Sequence, residues 1–137
     1  IEVNMNNYKS KQLKRVLNKI SEYCEKRFSQ EVCGLLGKSG GHYIAQECKN
    51  VSDNPSQEFV MDPVQFLLFK EKYNVIALYH SHIVGDEEPS DFDKLMSENS
   101  CIPFLIYSLN TKKHHLYKPK DMDADKEQVK NLIRKIK

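Results

Sequence analysis

The sequence has almost no net charge. Its 21 lysines and arginines stand against 19 aspartates and glutamates, leaving +2, so no global field draws it to nucleic acid. It has no apolar run of the roughly 20 residues that a membrane span requires. No signal-peptide pattern opens it, and a cytoplasmic protein is expected. The first residue is Ile1 rather than Met, which leaves a preceding segment open. None of the four cysteines, Cys24, Cys33, Cys48 and Cys101, belongs to a Cys-x-x-Cys pair. In a cytoplasmic chain they are expected to be reduced, mostly buried thiols rather than disulfides or metal ligands. There is no internal repeat and no low-complexity tract. What is present is 137 residues, 39% hydrophobic and 29% charged, which suits one globular domain with a core of its own.

The pattern predicts alternating helices and strands. Ser10 to Phe28 reads as a helix, with Leu13, Val16, Leu17, Ile20, Tyr23 or Cys24, and Phe28 on one buried face and lysines on the other. Glu31 to Gly37 reads as a buried strand, and Lys38 to Gly41 as a glycine turn into a hairpin partner, His42 to Cys48. A loop over Asn50 to Gln57 and a short strand over Glu58 to Met61 follow. Asp62-Pro63 is a good helix start, and that helix should turn Phe66 and Leu67 inward and end near Tyr73. Val75 to His82 is apolar through Tyr79 and reads as a central strand buried on both faces. Ser90 to Asn99 reads as a third helix. Ile102 to Leu109 and His114 to Tyr117 form a second hairpin. The fold class is α/β: a single domain with a mixed β-sheet flanked by helices. From about Asp123 a basic amphipathic helix is expected, packing on this domain or on a partner.

Val75 to Asp93 carries the chemistry. His80 and His82 are two apart on a strand, so their imidazoles share one face while Ser81 points away. After a loop with Gly85 and Pro89, Ser90-Asp91-Phe92-Asp93 opens a helix that can bring Asp93 back to the histidines. Two neutral imidazoles and one carboxylate are a catalytic zinc ligand set, with the fourth tetrahedral position open. Each part has a plainer reading. Two histidines on a strand can be ordinary hydrogen-bonding residues. Ser90 and Asp93 also fit a capping box, a role compatible with ligation. Asp86, Glu87 and Glu88 read as a solvated loop, and His42, His114 and His115 as hairpin surface residues.

The spacing His-x-His-x7-Ser-x2-Asp, met by His80, His82, Ser90 and Asp93, resembles the JAMM motif of the JAB/MPN zinc metalloproteases. That family also uses an upstream glutamate, and Glu31 stands before Val-Cys-Gly-Leu-Leu-Gly in a similar pattern. The resemblance implies a cytidine-deaminase-like arrangement over residues 1–120, with 121–137 as the appended helix. It implies one zinc per chain on His80, His82 and Asp93. It makes Glu31 the general base and Ser90 the oxyanion donor. The reaction implied is hydrolysis of a peptide or isopeptide bond, as in deubiquitinating relatives. Ile83 stands where relatives often have proline, and the large insertions of ubiquitin-gripping members are missing. The compact form is more like prokaryotic and viral members. Residues Asn50 to Pro63 and Asn99 to Ile106 look most like the phage tail-assembly branch, whose members often carry a second peptidase domain. The partner implied is a protein with an extended C-terminal tail: ubiquitin-like, sulfur-carrier or phage tail protein. An activating partner or a dimer is left open; nucleic acid and membrane are not expected. The competing reading is a catalytically silent scaffold of the same fold, although silent relatives lose ligands and this sequence has lost none.

Overall fold

The computed structural model describes residues 5–120 and Ile136. The elements are α1 (Met5–Lys26), β1 (Cys33–Ser39), β2 (His42–Cys48), α2 (Pro63–Lys72), β3 (Asn74–His82), α3 (Asp91–Ser100), β4 (Phe104–Ser108) and β5 (His114–Tyr117). The five strands make one mixed sheet in the order β2-β1-β3-β4-β5. β3 is central, as its apolar run predicts. It runs antiparallel to β1 and parallel to β4, and the two hairpins β1–β2 and β4–β5 are antiparallel. Parallel neighbours need a crossover, and α3 supplies it. Gly40, at φ +58°, takes the left-handed backbone of the β1–β2 turn.

The sheet has a core on each face. On one, Leu13, Val16, Leu17, Ile20 and Cys24 of α1 meet Leu36, Tyr43, Ala45, Ala77, Tyr79, Leu105 and Tyr107. On the other, Phe69 of α2 meets Cys33, Leu35, Cys48, Leu78 and Phe104. A bulge in β3 adjusts the two faces. Leu36 pairs with Ala77 but Gly37 pairs with Val75, so Ile76 is extra and joins Ala77 on the α1 side. Beyond the bulge, Leu78, His80 and His82 face the α2 side. Gly34 is required where it stands. A methyl group there would run into the Tyr79 ring and the Gln46 carbonyl.

Several expectations are corrected. Helix α1 stops at Lys26, and the turn over residues 27–29 swings Phe28 out to 69% exposure. Leu67 of α2 is also outward, at 58%. The inner stripe of α2 is Phe66, Phe69 and then Tyr73, because the Phe69 ring lies over Gly37, where no side chain competes for the space. Residues 58–61 form no strand, only a bridge between Asn50 and Met61. The side chain of Asn50 takes the Glu58 carbonyl and the Val60 N–H that a ladder partner would use. β1 begins at Cys33, so Glu31 lies just before it. Cys24, Cys33 and Cys48 are buried free thiols, while Cys101 is exposed. His42 is exposed, His115 is partly exposed, and so is His114. It lies beside the Tyr107 ring and Ser21, and burial pushes its pKa down to about 4. The helix expected from about Asp123 lies outside the described residues except for Ile136, which is helical and packs against the α1-side core. No helix among the described residues is long and apolar enough to cross a membrane.

Two tests follow from this packing. Gly34→Ala should cost about 1–3 kcal/mol of unfolding free energy by overpacking, measured by denaturant titration; an unchanged midpoint would contradict the close approach of Tyr79. His114 binds its proton more weakly when folded than when unfolded, so stability should fall as pH drops from about 6.5 towards 4. His114→Gln should flatten that limb of the stability curve.

Candidate metal centre

The chain brings His80, His82 and Asp93 together, as their spacing predicts. Their ligating atoms all lie within 4.8 Å of one another. β3 presents both histidines on one face, and α3 supplies Asp93 from its first turn. That turn is fixed by a full capping box. Ser90 Oγ accepts from the Asp93 N–H at 3.0 Å, and Asp93 Oδ2 accepts from the Ser90 N–H at 3.0 Å. The cap and the candidate ligand are therefore the same residue. Asp93 is only 4% exposed. Burial pushes its carboxyl pKa up, but the imidazoles of His80 and His82 and the Ser90 N–H outweigh burial and hold it well below the usual range. It stays an anion.

The hydrogen bonds fix the tautomer of His82. Its Nδ1–H donates to the Asp86 carbonyl at 2.8 Å, as metal-bound histidines commonly do with their outer nitrogen. Its Nε2 then turns a lone pair toward Asp93 Oδ2, 3.0 Å away. Two acceptors at that distance need a proton or a cation between them. Burial opposes protonation of His82, but Asp93 and the Asp86 carbonyl outweigh it and raise the pKa. His80 is 1% exposed. Its Nε2 lies 2.9 Å from Asp93 Oδ1, out of line for a hydrogen bond, and neither ring nitrogen has a hydrogen-bond partner. A buried imidazole whose nitrogens lack aligned hydrogen bonds is costly unless it has another use. The donor set fits a metal ion: a deprotonated carboxylate, a lone pair aimed inward, and an imidazole lacking hydrogen bonds.

Glu31 also comes to this site, its Oε1 3.8 Å from His80 Nδ1. Burial pushes its pKa up to about 7, with Asp93 and Glu58 adding to the rise and His82 opposing it. Two clamps hold it just outside the sheet ladder. Its N–H donates to the Pro55 carbonyl at 2.7 Å, and its own carbonyl accepts from Asn50 Nδ2 at 2.9 Å. Next to it, Val32 exchanges two bonds with Ser81: Val32 N–H to Ser81 Oγ at 2.8 Å and Ser81 N–H to the Val32 carbonyl at 2.9 Å. Beside Glu31 opens a cavity of about 370 Å³, walled by Arg27, Gln30, Lys49, Asn50 and Gln65. Ser90 is exposed; its oxygen serves the cap, and its O–H is not used there.

The sequence alone did not point to Ser81, Asn50 or Phe59. Ser81 points away from the histidines, as strand alternation requires, but there it anchors the residue after Glu31. Phe59 stacks on His80 at 4.6 Å and 29°, and Phe104 meets it edge-on at 5.8 Å and 77°. A small polar residue within an apolar strand was the available signal for Ser81. Phe59 gives none, since nothing local to it marks the contact. The acidic run is tied down within its loop and to the β4–β5 turn: Asp86 Oδ1 accepts from the Glu88 N–H, and Glu87 accepts from the Thr111 hydroxyl.

Residues 13–125 match the family described as prokaryotic homologs of the JAB domain. The chain is 23% identical over 94 residues to tail tip assembly protein K of Escherichia phage N15. The match covers 69% of this chain and 39% of that protein, so the chain spans well under half of its relative's length. The likeness to tail-assembly proteins read from residues 50–63 and 99–106 is thereby supported. The solution structure of a protein from Desulfitobacterium hafniense superposes with a TM-score of 0.61 at 24% identity, covering 80% of this chain and 84% of that one. That similarity shows a shared fold.

Ser81→Ala should expose how much the Glu31 segment depends on β3. It strips a fully buried N–H of its acceptor, at a cost of about 1–3 kcal/mol. Hydrogen exchange should report faster opening at Val32 than at the middle of β1; equal protection at both would contradict the anchor.

Proposed function

Because the chain belongs to the family of prokaryotic JAB-domain homologs, we propose that it is a zinc-dependent peptidase or isopeptidase of the JAMM type. The observation that carries this reading is the inward-facing donor set of His80, His82 and Asp93 with a raised-pKa carboxylate beside it. Asp93 sets one oxygen 2.9 Å from His80 Nε2 and the other 3.0 Å from His82 Nε2, and the ligating atoms of all three residues lie within 4.8 Å of one another, close enough to share one ion. A donor set of two imidazoles and one carboxylate would favour zinc over iron or manganese. Bound there, zinc would polarise the scissile carbonyl and bring the pKa of a water to about 7.

The chain's own groups supply the rest. Glu31 takes a proton from the attacking water and passes it to the leaving amine nitrogen, and a pKa pushed up to about 7 suits a group that must do both. The Ser90 O–H donates to the carbonyl oxygen as it gains charge. The Asp86 carbonyl keeps the proton of His82 on Nδ1, so that Nε2 stays available. Phe59 and Phe104 keep water off His80. The cavity beside Glu31 gives space to a side chain flanking the cleaved bond.

The substrate in this reading is the extended C-terminal tail of a small protein, laid alongside as an added strand. Ubiquitin-like and sulfur-carrier proteins fit that description. The similarity to a phage tail assembly protein favours a phage tail protein. A second reading, a silent scaffold, draws on the outward apolar row Val64, Leu67 and Leu68 of α2, each more than half exposed.

Glu31→Gln, His82→Ala and the wild type separate the readings. Wild type and Glu31→Gln should each hold one zinc by elemental analysis, whereas His82→Ala should not. Cleavage of a fluorogenic tail amide should fall about 10²–10⁴-fold in Glu31→Gln, the range for a lost general base. A zinc-loaded wild type that cleaves no tail substrate, with Glu31→Gln indistinguishable from it, would favour the scaffold.

A further inference from the structure

Asn50 lies outside the sequence motif, yet its side chain is bonded at every position. Nδ2 donates to the carbonyl of Glu31 at 2.9 Å and to that of Glu58 at 3.0 Å. Oδ1 accepts from the N–H of Ser52 and of Val60, each at 3.0 Å. Two carbonyls on one side and two N–H groups on the other fix the amide orientation, since a flipped amide would meet repulsion at all four contacts. The bonds to Glu58 and Val60 grip the backbone on either side of Phe59, the ring stacked on His80. The bond to Glu31 holds the residue whose Oε1 approaches His80 from the Nδ1 side. One side chain thus ties together the carboxylate segment, the aromatic support of an imidazole and the end of β2.

We propose that Asn50 is a positioning residue, setting the attitude of Glu31 and, through Phe59, that of His80. In its kinetic part this rests on the peptidase reading above; in its metal-binding part it needs only the His80–His82–Asp93 site. The amide matters because it is the one neutral side chain of this size that donates twice and accepts twice. A backbone strand at 58–61 could hold Phe59, but it could not also reach the Glu31 carbonyl.

Asn50→Asp is the discriminating variant. It keeps the shape and both accepted bonds but sets a carboxylate oxygen against the Glu31 and Glu58 carbonyls. Zinc affinity, read by chelator competition, should weaken about 10-fold or more in Asn50→Asp and in Phe59→Leu, the range for lost outer-shell support. The double variant should be little weaker than either single one, because both act through one contact. At saturating zinc, Asn50→Asp should lower kcat about 10–100-fold with KM unchanged, and should cost nothing further in a Glu31→Gln background. If Asn50→Asp does not fold, Asn50→Ala, whose partly exposed site admits water, runs through the same cycles. Wild-type zinc affinity and kcat in the Asn50 variant, or equal losses with and without Glu31, would overturn the proposal. A wild type that binds zinc but cleaves nothing would fail the peptidase reading alone, and the zinc cycle with Phe59 would still decide the role of Asn50. A wild type that takes up no zinc overturns both.

Discussion

One carboxylate has to serve three groups at once. Asp93 accepts the N–H at the start of its own helix while its two oxygens stand at 2.9 and 3.0 Å from two imidazoles. That is possible only if the first turn of α3 starts at the open end of β3 and points its third residue back at the sheet. The parallel pairing of β3 with β4 and the crossover through α3 put it there. The cap therefore fixes more than a helix start. It removes the freedom by which the carboxylate could swing out to water, and the cost of burying the anion is offset by the groups around it.

The other half of the site depends on the sheet having two usable faces. On one face β3 offers His80 and His82; on the other, Ser81 binds the peptide after Glu31. A single strand thus positions the candidate ligands and anchors the segment bearing the candidate base. Glu31 is outside the ladder, so its peptide groups need other partners, and Pro55 and Asn50 supply them. The loop from Asn50 to Val60 has no regular structure because its hydrogen bonds go to this task.

What the sequence made legible followed short-range periodicities. Alternation put His80 and His82 on one face, the Ser-x-x-Asp spacing gave the cap, and the paired glycines gave the first hairpin. The central place of β3 followed from its apolar run. What stayed hidden depended on contacts between distant segments. Phe28 falls on the apolar stripe of the sequence because nothing local marks the helix end at Lys26. Leu67 and Phe69 are equally apolar, and only Gly37 in a strand far away decides that Phe69 goes inside. Residues 58–61 looked like a strand because the competing partner, the Asn50 side chain, is not a neighbour in sequence. His114 reads as a surface residue of a polar hairpin, and nothing local to it marks its contacts with Tyr107 and Ser21. The family resemblance located Glu31; spacing alone would have left it a surface carboxylate.

The central claim is that the His80–His82–Asp93 cluster is a zinc site. Crystals of the purified protein, measured on both sides of the zinc absorption edge, test it most directly. The account predicts one anomalous peak per chain, bounded by Nε2 of His80, Nε2 of His82 and a carboxylate oxygen of Asp93. A map with no peak at that position after zinc loading, and with His82 Nε2 and Asp93 Oδ2 still in hydrogen-bond contact, would contradict it. The cluster would then be an ion pair holding α3 to the sheet.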